Sequence, residues 1–179
     1  PLNSMQGIEE AFVIFKDQIA CIIIEPIPAN NGLLLQDRMY LQFLRDTCTK
    51  HGSLLIFDEV ISGFRVGFEG AAGFYDIKPD IVTYGKIIGG GFPVGAYGAS
   101  KEIMASISPD GNVYQAGTLS GNPVAMSAGI AQLTECLKPN FYQELEAKTQ
   151  TLVKGLLEIK KDNFKVFSIG SIFWLAFTE

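Results

Sequence analysis

The sequence predicts an α/β fold with a largely parallel sheet flanked by helices. Two observations carry that expectation. Short apolar runs of strand length alternate with longer segments of helical apolar spacing, which is the pattern of repeated strand–helix units. Two of those runs also end on functional groups: residues 54–60 close in Asp58-Glu59-Val60, and residues 80–84 lead directly into Gly85-Lys86. In open α/β sheets the ligand crevice lies beyond the carboxyl ends of the strands, so Asp58 and Lys86 are delivered to the place where such folds hold small molecules.

Ile8, Ala11, Phe12 and Phe15 fall at helical spacing, so residues 7–16 form a first helix that feeds a buried strand over the run 19–24. Glu25-Pro26 stops that strand, because proline cannot continue a ladder, and Ala29-Asn30-Asn31-Gly32 is turn chemistry. Glu25 and Asn30 therefore also stand at a strand's end. Met39, Tyr40, Phe43, Leu44 and Thr47 mark a helix over residues 36–51, with Gly52 suited to the left-handed position beyond it. His51, the sole histidine, falls in that helix's last turn and reads as a helix-end residue, since no metal-ligand partners lie near it in sequence.

Beyond the 54–60 strand, Arg65 in Ser62-Gly63-Phe64-Arg65-Val66-Gly67 reads either as a clamp for a substrate carboxylate or as half of a structural ion pair. Small residues over 69–74 suit a short helix close to the sheet. Gly89-Gly90-Gly91 fits neither dinucleotide nor Walker glycine spacing and reads as a turn for tight packing. A strand over 94–99 follows. Residues 120–137 form a helix with Asn122-Pro123 near its start, and the approach Gly117-Thr118-Leu119-Ser120 offers hydroxyls and free amides that serve an anion or simply cap the helix. Leu145, Leu152, Leu156 and Ile159 mark a long amphipathic helix over 141–161, with strands at 166–167 and 172–177 beyond it.

Composition bounds the function. The chain has 179 residues, 47% of them hydrophobic, enough for one globular body. A net charge of −5 with scattered Lys and Arg argues against a nucleic-acid partner. No apolar run reaches the roughly 18 to 20 residues of a membrane span, and Cys21, Cys48 and Cys136 are spaced as reduced packing residues, so a cytoplasmic protein acting on a small molecule is expected. The chain starts at Pro1 and stops at Glu179 directly after a strand-like run, which reads as a piece of a longer polypeptide. An acid and an amine at two strand ends could hold a pyridoxal phosphate ring, with Lys86 as its Schiff base and Asp58 on the pyridine nitrogen. The Asp58-Glu59 pair also fits the Walker B strand of an ATPase, although no Gly-x-x-x-x-Gly-Lys-Ser/Thr accompanies it. A scaffold piece without a site is the remaining alternative.

Glu25-Pro26-Ile27, Phe57-Asp58-Glu59-Val60-Ile61-Ser62-Gly63-Phe64-Arg65-Val66, Tyr84-Gly85-Lys86-Ile87-Ile88-Gly89-Gly90-Gly91-Phe92-Pro93-Val94-Gly95 and Tyr114-Gln115-Ala116-Gly117-Thr118-Leu119-Ser120-Gly121-Asn122-Pro123 resemble the fold-type I, class III pyridoxal-phosphate aminotransferases. The resemblance spans nearly the whole chain and is strongest over 25–129. Gly-Phe-Arg-Val after the Asp-Glu-Val, and the Tyr-Gln-Ala-Gly-Thr-Leu segment, resemble the branch that moves an amino group within one substrate during tetrapyrrole synthesis. The alternative within the family is an ω-aminotransferase with two substrates.

The resemblance implies that Lys86 is the Schiff-base lysine and proton shuttle, and that Asp58 keeps the pyridine nitrogen protonated. It implies Val60 on the ring face, Asn30 near the ring, and Gly117 with Thr118 at the cofactor phosphate of the neighbouring subunit, in a homodimer with shared sites. Pyridoxal 5′-phosphate and pyridoxamine 5′-phosphate are the implied cofactors, and no metal is expected. Residues 1–138 would be the C-terminal part of the family's large cofactor-binding domain, 139–163 a connecting long helix and 164–179 the first part of a small domain. The phosphate cup and gating loop of relatives fall outside that coverage, so the chain alone is expected to be inactive.

Overall fold

The computed structural model describes residues 2–159 and 164–177. Its centre is a four-stranded sheet in the order β1 (Cys21–Ile24), β2 (Leu54–Asp58), β3 (Ile81–Tyr84), β4 (Ala96–Ala99). The first three strands run parallel, and β4 pairs antiparallel with β3. The expected α/β architecture with a largely parallel sheet is therefore present.

Helix α1 (Met5–Phe15) starts at Ser4, whose Oγ accepts from Gly7 N at 3.1 Å. Helix α2 (Arg38–His51) crosses from β1 to β2; Asp37 caps it by accepting from Met39 N at 2.7 Å. Gly52 ends it in the left-handed region at φ 69°, where its N–H reaches the carbonyls of Cys48 and Thr49. The core lies between this helix and the sheet: Leu41, Leu44 and Cys48 of α2 and Leu55 and Phe57 of β2 are sealed from solvent. Helix α3 (Gly70–Tyr75) adds Ala71 and Tyr75 to the same cluster.

The run 19–24 was expected to be a buried strand, and it is buried on one face alone. Only Ile22 and Ile24 pack on the core, whereas Cys21 is exposed and Ile23 is 62% exposed. With a side-chain period of two, a strand covered on one face buries every second residue even when all are apolar.

The amino ends of β2 and β3 are joined through Asp80, whose Oδ2 accepts from Leu55 N and from Arg45 Nη1 of α2, each at 2.7 Å. After β3 a 3-10 turn (Lys86–Gly89) leads into the glycine run, and its role as a tight-packing element is visible in helix α5 (Pro123–Cys136). A Cβ on Gly129 of α5 would overlap the Ile88 carbonyl, and one on Gly90 would overlap the Ala128 carbonyl. The backbones of turn and helix thus touch directly. A short helix α4 (Lys101–Met104), capped by Ser100, lies between β4 and α5 and was not expected, because four residues are too few to show a period.

Helix α5 (Pro123–Cys136) has Pro123 in its first turn and Asn122 as its cap, accepting from Val124 N at 3.0 Å and Ala125 N at 3.2 Å. Helix α6 (Phe141–Glu158) follows and ends sooner than expected, with Ile159 as its C-cap; residues 160 and 161 of the expected helix and the boundary at residue 163 fall outside the described residues. Strands β5 (Phe164–Ile169) and β6 (Ile172–Phe177) form an antiparallel hairpin, longer at its first strand than the apolar pattern showed. Ser171 in its turn donates to the Arg65 carbonyl at 3.0 Å, which ties the hairpin to the loop after β2. Among the described residues no helix is long and apolar enough to cross a membrane.

Candidate active site

Asp58 is the last residue of β2 and pairs in register with Thr83 of β3. Its Oδ1 accepts from Val60 N at 3.0 Å, closing a local turn of the kind aspartate makes at strand ends, and from Thr83 Oγ1 at 3.2 Å. One donor from the turn after β2 and one from β3 therefore hold one carboxylate oxygen. Among the described residues none engages Oδ2.

The adjacent acid does something else. Glu59 is completely buried; its Oε2 accepts from Ser62 Oγ at 3.0 Å and Ala71 N at 2.6 Å, and its Oε1 from Ala72 N at 2.9 Å. Ala71 and Ala72 lie in the first turn of α3, whose amides have no partner inside the helix, so Glu59 caps that helix from a distance. Its backbone is held as well, with Glu59 N donating to Thr83 O at 3.0 Å and Gly63 N donating to Glu59 O at 2.9 Å. Burial pushes the phenol of Tyr84 above its usual pKa, and the negative charge of Glu59 adds to the rise. This arrangement removes the ATPase alternative, in which both acids face a metal-nucleotide crevice: Glu59 is committed to the interior.

Lys86 opens the 3-10 turn immediately beyond Gly85, one residue past the end of β3. Its φ of 47° lies in the left-handed region, which for a side chain of this kind costs on the order of 1–3 kcal/mol and persists only where the surroundings enforce it. They do so here through Gly85, which is buried, and where a Cβ would sit 3.2 Å from Val60 Cγ1. Val60 thereby lies against the residue preceding Lys86. The Lys86 side chain is exposed and lines a cleft with Arg65, Phe92, Val94 and Gln132. Among the described residues its ammonium has no hydrogen bond or ion pair.

Asp58, Val60 and Lys86 thus gather at the carboxyl ends of neighbouring parallel strands. Gly117 and Thr118 do not join them; both are exposed and line a second cleft with Ser120 and Met126, which shares Pro93 and Val94 with the Lys86 cleft. Asn30 is exposed in the turn after β1. His51 packs its ring on Phe12, with centroids 4.5 Å apart, at the end of α2. Thr83 was missed as a site residue, although two parallel strands in this register place it beside Asp58. Among the described residues no group of three His, Cys, Asp or Glu could hold a metal ion.

Residues 3–172 match the family model described as aminotransferase class-III. A glutamate-1-semialdehyde 2,1-aminomutase of Francisella tularensis is 52% identical over 178 residues, covering 98% of this chain and 41% of the relative. An omega-transaminase from Sphaerobacter thermophilus superposes with a TM-score of 0.89 at 35% identity, covering 100% of this chain and 42% of that one. A transaminase with PLP bound superposes with a TM-score of 0.85 at 33% identity, covering 98% and 42%. The chain spans less than half the length of the curated relatives it matches.

The two acids should fail in different ways when replaced in the full-length protein. Asp58→Asn keeps an oxygen for Val60 N and Thr83 Oγ1 but loses the charge, so turnover should fall about 100-fold or more with little loss of stability. Glu59→Ala leaves three buried donors unpaired and should cost about 3 kcal/mol in urea unfolding, with a smaller loss of turnover per folded molecule than Asp58→Asn shows. Wild-type turnover in Asp58→Asn would remove that residue from the site.

Proposed function

Because this chain belongs to the class III aminotransferases, we propose that it carries the cofactor-anchoring part of a glutamate-1-semialdehyde 2,1-aminomutase, which makes 5-aminolevulinate for tetrapyrrole synthesis by exchanging amino groups within one substrate. The observation that carries this is the placement of Asp58 and Lys86 at the carboxyl ends of adjacent parallel strands, in a chain 52% identical to a relative of that name.

The residues fit pyridoxal phosphate on their own chemistry. Asp58 offers Oδ2, unengaged by any described residue, while its other oxygen is held by Val60 N and Thr83 Oγ1. That fixed carboxylate would keep a proton on the pyridine nitrogen by ion pairing. Val60, wedged against Gly85, would supply an apolar surface for one ring face. Lys86 would anchor the cofactor covalently through Nζ, and its amine is free of competing partners among the described residues. When bound, the cofactor supplies an electron sink that stabilises negative charge on a substrate carbon next to nitrogen. Once released from that covalent link, Lys86 Nζ would be a free amine able to take a proton from the substrate carbon and hold it for return, the general acid/base role of a positioned amine.

Thr118 and Gly117 are assigned to the cofactor phosphate of a second copy. Leu119 lines their cleft and is exposed, and Val124 and Ile130 of α5 are exposed as well. Apolar side chains so placed suit an isologous dimer face, in which each subunit completes the other's site. The three free thiols suit a reducing cytoplasm.

Two measurements check this reading on the full-length protein. Incubated with glutamate-1-semialdehyde and no added amino donor, the holoenzyme should form 5-aminolevulinate over many turnovers; a strict need for a separate donor identifies an ω-aminotransferase instead. Mixing Thr118→Ala with Lys86→Ala subunits, each inactive alone, should restore activity, because shared sites put both defects on one site of every mixed dimer and leave the other intact. If Thr118 serves its own chain, every mixed dimer carries two damaged sites and no activity returns.

A further inference from the structure

The loop after β2 is held more firmly than a connection requires. Phe64 has φ 60°, a left-handed conformation that a bulky aromatic adopts only under constraint. The constraint is visible: its ring packs on Tyr84 with centroids 5.3 Å apart and edge-on against Phe68 at the same separation. The backbone of the next residue is gripped from several directions. Arg65 N donates to Ser62 O at 3.1 Å, and the Arg65 carbonyl accepts from Ser171 Oγ at 3.0 Å and from Ser171 N at 3.4 Å. Tyr142 of α6 donates to the Phe64 carbonyl at 3.5 Å. Since Tyr84 stands two residues before Lys86, one aromatic contact positions both the Arg65 and the Lys86 segments.

Among the described residues the side chain so positioned has no hydrogen-bond or ion-pair partner. Arg65 lines the same cleft as Lys86, and its Nε is buried with no hydrogen-bond partner. The ion pairs among the described residues use Arg38, Arg45 and Lys138, and none includes Arg65. A guanidinium carries five donors and no acceptor, and a buried donor without an acceptor is costly, so a guanidinium that lines a cleft without a partner is matched by an acceptor that enters the cleft. Beside the Lys86 amine, that occupant carries negative charge.

We infer that Arg65 binds the carboxylate of the substrate at the Lys86 cleft and acts as a specificity determinant rather than as half of a structural ion pair. The planar fork of the guanidinium matches a carboxylate with two parallel hydrogen bonds, which a lysine cannot reproduce. The identity of the carboxylate rests on the aminomutase reading, whose substrate carries a single one; the anionic character of the ligand does not.

The test uses the full-length holoenzyme and pentanoate, an unreactive five-carbon carboxylate, beside steady-state kinetics with glutamate-1-semialdehyde. Arg65→Met should weaken pentanoate binding by about tenfold or more and raise KM by a similar factor with kcat little changed, the signature of lost uniform binding. Arg65→Lys should fall between the two proteins, because the charge remains and the fork is lost. Pentanoate affinity within about twofold of wild type in Arg65→Met overturns the inference, and so does a fall in melting temperature in both variants with affinity unchanged, which marks an ion pair within the protein. If Arg65→Met does not fold, Arg65→Lys decides alone: weaker pentanoate binding supports the inference and equal binding overturns it. A wild-type enzyme that ignores the semialdehyde yet binds pentanoate through Arg65 refutes the aminomutase reading and leaves the anion site standing. Conversion of the semialdehyde with no dependence on Arg65 does the reverse.

Discussion

The capping of α3 by the buried carboxylate of Glu59 is the interaction on which the site depends. A charged group sealed from water is tolerated only when its oxygens are fully engaged, and here Ser62 Oγ and two amides of the helix's first turn engage them. The consequence reaches in both directions along the chain. Upstream, the residue immediately before Glu59 is left at the rim of the sheet, so Asp58 keeps an oxygen for a ligand while its neighbour points inward. Downstream, the tight turn from Glu59 to Gly63 brings Phe64 against Tyr84 and so couples the end of β2 to the end of β3. One buried acid thereby sets the spacing between the strand ends that present Asp58 and Lys86.

Close backbone approach is the second constraint. Val60 presses on Gly85, and the 3-10 turn that begins at Lys86 lies with its carbonyls against α5, where Gly129 leaves no room for a side chain. The left-handed φ of Lys86 is the strained product of these contacts. A lysine on a freely mobile loop would sweep many positions; here the backbone beneath it is clamped from both sides, which restricts where its amine can be presented and lowers the ordering cost of binding.

Much of this was legible in the residues. Strand ends at Asp58 and just before Gly85-Lys86, the stop at Gly52 and the Asn122-Pro123 helix start follow from apolar runs, turn chemistry and capping, all of which act over a few residues. What was not legible depends on tertiary placement. Two adjacent acids look alike in sequence, and only the docking of α3, twelve residues downstream of Glu59, decides which one is buried. Thr83 beside Asp58 needs the strand register, and the alternating burial along β1 needs to be known from which face of the sheet α2 covers. The pairing of Arg65 with the Lys86 cleft arises from the Phe64–Tyr84 contact, which no local pattern announces. Thr118 illustrates a further limit: its motif resembles a phosphate contact, but the role proposed for it involves a second subunit, which no pattern within one chain displays.

The central claim is that Lys86 anchors the cofactor opposite Asp58. It is tested most directly by loading the full-length protein with pyridoxal phosphate, reducing with borohydride, digesting, and locating the added mass by peptide sequencing. The account predicts one stoichiometric phosphopyridoxyl group per chain on Lys86, absent in the Lys86→Ala variant. Stoichiometric label on Lys78, Lys101 or any other lysine, persisting in that variant, would contradict it.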